Sequence, residues 1–161
     1  WAVSRLDASS FRGKLVLVEL VGMSCPASVS FAGGPHCTPF RGVSPQPNLE
    51  TLAEYVRRFG RVRLDDEQLV HVQLVLFNQQ MKAPRLQDLQ SWVEHFAAGR
   101  TSNRFVLGGS PAMANLASRA LVPGFHLLDK DLVLRCDSSG QSPEDDFYTE
   151  LLPSIRRFIA K

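Results

Sequence analysis

Apolar positions in this chain follow two rhythms. Residues 15–21 (LVLVELV) form a short run rich in branched side chains, and residues 71–77 (HVQLVLF) form another. Runs of that length and composition predict buried strands. Residues 104–107, 125–128 and 132–136 predict three shorter strands, the last two joined by the turn Asp129-Lys130-Asp131. Between these runs the spacing turns helical. After a cap at Asn48, the residues Leu49, Leu52, Ala53, Val56 and Phe59 share one face, and Gly60 supplies the stop. Leu86, Leu89, Trp92, Val93, Phe96 and Ala97 mark a second helix, ended by Gly99. Ser110-Pro111 opens a short helix through Ala117, with proline at its first position. Ser142-Pro143 opens the last one, with Glu144, Asp145 and Asp146 suited to its positive end and Pro153 as a kink. Strands alternating with helices, closed by a hairpin, predict an α/β architecture with a mixed sheet.

Residues 29–47 break the rhythm. They hold three glycines and four prolines without a period, so we expect a long loop, either a functional element or a surface insertion. Repeats and low-complexity tracts are absent, and 161 residues suit a single domain. A net charge of +2, with no basic block, gives no reason to expect a nucleic-acid partner. No apolar stretch reaches the roughly 18 residues of a membrane span. Three cysteines exclude both a disulfide-rich scaffold and a zinc framework of paired C-x-x-C motifs.

The chemistry concentrates at GMSCPAS, residues 22–28, directly after the first strand. A cysteine between a strand and a helix sits at the helix N-terminus, where backbone N–H groups and the dipole favour the thiolate. Pro26 is pre-set for a helical start, and Ser28 can donate a hydrogen bond to the Cys25 sulfur. The alternative is a buried, inert cysteine.

These features together resemble the thioredoxin-like superfamily, nearest its TlpA-like thiol-disulfide oxidoreductases and with the peroxiredoxins close by. Ser9-Ser10-Phe11-Arg12-Gly13-Lys14 before LVLVEL resembles the approach to the redox motif. Cys25-Pro26-Ala27-Ser28 stands where the family carries C-x-x-C. Val122-Pro123-Gly124-Phe125-His126-Leu127-Leu128-Asp129 resembles the V-P-T-T-F-L-I-D stretch. The resemblance implies a three-layer sandwich of a central mixed sheet flanked by helices, forming one domain over residues 1–161 with an insertion at about 29–47. It also implies that Pro123 is the cis-proline beside the active cysteine. This chain departs from the pattern in four ways: Ser24 replaces the usual tryptophan, Ser28 replaces the resolving cysteine, Val122 replaces the Thr or Ser that some branches carry before the proline, and Gly22 replaces the threonine of a peroxiredoxin.

We therefore expect a monothiol C-x-x-S redox protein with Cys25 as nucleophile, Ser28 as its hydrogen-bond donor and Pro123 shaping the substrate groove. Exchange needs an attacking thiolate, which Ser28 cannot supply. Three routes stay open: an external thiol resolves Cys25, Cys37 swings in from the loop, or the site is redox-dead and the fold binds a partner protein. Peroxide reduction is a further alternative. A Cys25–Cys37 disulfide would contribute about 3 kcal/mol. Cys25, His36 and Cys37 include soft metal ligands, but their spacing does not match copper chaperones of this fold, so we expect neither metal nor cofactor. Cys136 reads as structural, and His71, His95 and His126 read as satisfied core or surface histidines. The expected partner is a protein or small-molecule thiol or disulfide. The chain starts at Trp1 rather than Met, so we expect a processed or trimmed form, with an upstream membrane anchor left open. With the resemblance, this points to an extracytoplasmic setting (periplasmic, secreted or membrane-anchored).

Overall fold

The computed structural model describes residues 11–97 and 102–160. Five strands form one sheet in the order β3-β2-β1-β4-β5. They are β1 (Leu15–Gly22), β2 (Leu69–Phe77), β3 (Arg104–Gly108), β4 (Gly124–Leu128) and β5 (Leu134–Ser139). β1, β2 and β3 are parallel, while β4 runs antiparallel to both β1 and β5. The central position of β1 explains its near-continuous apolar sequence, since both its faces are covered.

The helices are α1 (Pro26–Gly33), α2 (Leu52–Tyr55, continued by a π-helical turn Val56–Gly60), α3 (Leu86–Phe96), α4 (Leu116–Ala120) and α5 (Leu152–Ile159, preceded by a π-helical turn Phe147–Leu151). Both parallel crossovers step the same way across the sheet, so right-handed connections put α1, α2 and α3 on one face. There α1, α2 and α5 bury Leu15, Leu17, Leu69, Phe125 and Leu127. Trp92 of α3 closes a second cluster with Val21, Met23, Val29, Phe40 and Val75. On the opposite face Phe11 packs against Val16, Val70 and Val72, and Val122 and Met81 flank Leu20, Leu76 and Phe77.

Several boundaries differ from expectation, each for a local reason. The loop expected from residue 29 begins after Gly33, because residues 26–33 are helical. Ala27 through Phe31 are all buried, and a helix covered on every side has no amphipathic period to detect. The remaining loop is anchored rather than free. Phe40 is buried on Trp92, His95 Nε2 lies 2.9 Å from the Thr38 carbonyl, and the Ser30 hydroxyl donates to the Gln46 carbonyl at 2.9 Å. Thr51, not Asn48, caps α2, its hydroxyl accepting the Glu54 N–H at 3.1 Å. The final helical segment starts after Asp146, whose carboxylate accepts the Tyr148 and Thr149 N–H groups, and not at Ser142. A π turn precedes Pro153, which stands in the first turn of α5 where its missing N–H costs least. The 110–117 helix is split into a 3₁₀ turn (Pro111–Met113) and α4. β5 begins two residues later than expected, since Leu132 has φ +65° and Asp129 Oδ1 holds the Asp131 and Val133 N–H groups. Gly99, Ser9 and Ser10 lie outside the described residues.

Candidate functional site

β1 ends in a forced turn. The Met23 N–H reaches across to the Phe77 carbonyl at 3.0 Å, and the Cys25 N–H folds back to the Gly22 carbonyl at 3.0 Å. Only glycine fits at position 22, because any Cβ there would collide with the Phe77 ring. The turn delivers Cys25 to the N-cap of α1, with Pro26 in the first turn. No side chain caps this helix, so the thiol of Cys25 is the group nearest its positive end. Cys25 is partly exposed and packs against the larger core cluster.

Ser28 is buried, and its Oγ accepts the Gly22 N–H at 3.4 Å. It therefore ties the end of β1 to the first turn of α1. Among the described residues no hydrogen bond joins it to Cys25, so the expected Ser28–thiolate contact is absent in this state. The Val122–Pro123 peptide bond is cis. β4 starts one residue later and pairs Gly124 with Leu20, which puts Pro123 at the same end of the sheet as Cys25.

Cys37 occupies a different place. Its Sγ is 3.9 Å from the Val29 carbonyl, and a Cβ on Gly33 would lie 2.8 Å from it. Gly33 is eight residues beyond Cys25, which is about 12 Å along α1 at 1.5 Å per residue. A disulfide needs Cα atoms within about 7 Å. Both cysteines are free thiols, and the Cys25–Cys37 bond that the sequence left open is not formed. Burial pushes the Cys37 thiol up, against a smaller opposing backbone hydrogen bond. Burial likewise pushes up Cys136, which packs in the core. Neither environment favours a thiolate at neutral pH. His36 brings no third ligand: among the described residues no cluster of three His, Cys, Asp or Glu could hold a metal.

Two features near the site were not read from the sequence. The Ser24 hydroxyl donates to the Met81 thioether at 3.1 Å, although the two residues are 57 apart. Met81 has φ +61°, and its turn is fixed by Asn78, whose Oδ1 accepts the Gln80 and Lys82 N–H groups. Nothing local marks Met81, because the β1–β2 register makes the contact. Glu19, three residues before Gly22, is 1% exposed. Its Oε2 lies 3.0 Å from His71 Nε2 and accepts from Gln73 Nε2 at 3.0 Å, and Gln73 in turn accepts the Trp92 indole N–H at 3.2 Å. His71 is thus a core histidine engaged by a carboxylate. A lone charge inside an apolar strand was the available signal for this network. His126 pairs with Asp137 at 3.3 Å near the sheet edge.

No family model matches the chain, and no curated protein matches it in sequence. Solved structures do match in shape. A thiol-disulfide isomerase from Corynebacterium glutamicum aligns with TM-score 0.53 at 18% identity, covering 98% of this chain and 88% of its own. A protein described as belonging to the thioredoxin-like superfamily aligns with TM-score 0.52 at 16% identity, covering 99% and 89%. The chain has a thioredoxin-like fold: a mixed five-stranded sheet flanked by helices. Among the described residues no helix is long and apolar enough to cross a membrane.

Proposed function

We propose that this thioredoxin-like domain carries out thiol-disulfide exchange through Cys25 alone, in an extracytoplasmic setting. The observation that carries this reading is the position of Cys25, a partly exposed thiol at the uncapped start of α1, directly after the central strand. The Cys25 thiolate attacks one sulfur of a partner disulfide. A new S–S bond forms as the old one breaks, and the departing cysteine leaves with the electron pair as a thiolate. Ser28 has no sulfur to displace the partner, so the mixed disulfide persists until an external thiol resolves it. Cys37 is set aside as the resolving group because its thiol is packed against α1 about two turns away. Pro123 borders the groove beside Cys25. Ser28 holds the turn through Gly22.

The test is mass spectrometry of the protein incubated with a disulfide-bonded peptide. The expected product is an adduct on Cys25 that accumulates and is cleared by added small thiol. If Cys25→Ala exchanges at the parent rate, the assignment fails. If the peptide binds without an adduct, the domain is a binding module.

A further inference from the structure

Cationic side chains gather on the turn that contacts the redox motif. The Asn78–Lys82 turn touches the redox motif through the Ser24–Met81 contact, and Arg119 Nη2 of α4 donates to the Met81 carbonyl at 2.9 Å. Lys82 and Arg85 flank that turn and are exposed, and Arg119 is half-buried with its Nε unpartnered. None of the three has a carboxylate partner among the described residues. Asp88, a carboxylate packed on the turn, is already engaged by Arg41, Asn78 and the Arg85 N–H. One helical turn before Arg119, Leu116 is 79% exposed, and Met113 nearby is 42% exposed.

Resting on the exchange reading above, we propose that the partner is a polypeptide disulfide with acidic residues beside its cysteine and an apolar side chain for Leu116 and Met113. The unpaired cations Lys82, Arg85 and Arg119 attract the acidic flank and raise the encounter rate at Cys25. The chemistry is unchanged: Cys25 forms the new S–S bond, the partner's second cysteine leaves as a thiolate, and an external low-molecular-weight thiol completes the cycle.

The experiment compares three peptides with the same disulfide, flanked by Glu, Ser or Lys, with the neutral 2-hydroxyethyl disulfide as control. The readout is the rate of adduct formation on Cys25. At about 0.01 M salt the Glu peptide is expected to react about tenfold faster than the Lys peptide. At about 1 M salt, where the Debye length falls to roughly 3 Å, the rates converge. Lys82→Gln, at an exposed position, reduces the preference. Adding Arg85→Gln and Arg119→Gln, the latter keeping an N–H donor for the Met81 carbonyl, removes it while the control rate stays unchanged. Leu116→Ser slows the Glu peptide and not the control. Equal peptide rates at low salt, or a preference that survives all three substitutions, overturns the acidic-partner proposal alone. Absence of any Cys25 adduct with the neutral control overturns the exchange reading, and this proposal with it.

Discussion

At Ser28 a single atom separates this chain from a two-cysteine redox motif. Ser28 stands three residues past the N-cap, in the first turn of α1, at a separation compatible with disulfide geometry. Ser28→Cys is therefore expected to close a bond with Cys25 and to release trapped partners without added thiol. The check is adduct lifetime by mass spectrometry, and a persisting adduct would mean that position 28 cannot reach Cys25. The Glu19 carboxylate shows how much one buried side chain can hold. It bonds both His71 and Gln73 in an interior where neither can reach water. Glu19→Ala strands those partners and is expected to cost about 3 kcal/mol in urea unfolding. A loss below about 0.5 kcal/mol, the size of an ordinary surface change, would show that the network contributes nothing to stability.

Between elements, the decisive contact is α1 against the loop that follows it. A Cβ at Gly33 would come within 2.8 Å of the Cys37 side chain and 2.9 Å of the Phe96 ring. Gly33→Ala is thus expected to destabilise by about 1–3 kcal/mol through overpacking, and Cys37→Gly should restore part of that loss by removing both crowding atoms. Additive losses in the double variant would contradict the placement of Cys37. α3 is held from inside by Trp92, which is fully buried against Phe40 and Phe96. Trp92→Ala is expected to cost about 3–5 kcal/mol in the same assay. The strands and α3 were legible from the chain because each carries its own period of apolar positions. α1 was partly hidden because it is buried all round, and the last helix was misplaced because Asp146 competes with Ser142 as a cap using only local hydrogen bonds.

Across the whole molecule, acid should loosen the connection between the loop, the Asn78–Lys82 turn and α3. Burial pushes the Asp88 carboxyl up, but hydrogen bonds from Arg85, Asn78 and Arg41, together with the Arg41 charge, outweigh it and hold the group below the usual aspartate range. A carboxyl depressed in the folded state stabilises above its unfolded value and loses that contribution as pH falls through the folded one. Unfolding followed from pH 7 down past about 4 is expected to show a stability loss that is smaller in Asp88→Asn. Parallel acid limbs for the two proteins would remove Asp88 from the explanation. The sequence by itself determined the alternation of the strands with every helix but α1, the mixed α/β class and the strand-to-helix seat of Cys25, because hydrophobic period and turn chemistry are local. Only the tertiary structure decided that Cys37 lies away from Cys25, that Met81 meets Ser24 and is held by Arg119, and that Glu19 meets His71. Each of those depends on sheet register and packing between residues far apart in the chain, which no local pattern encodes.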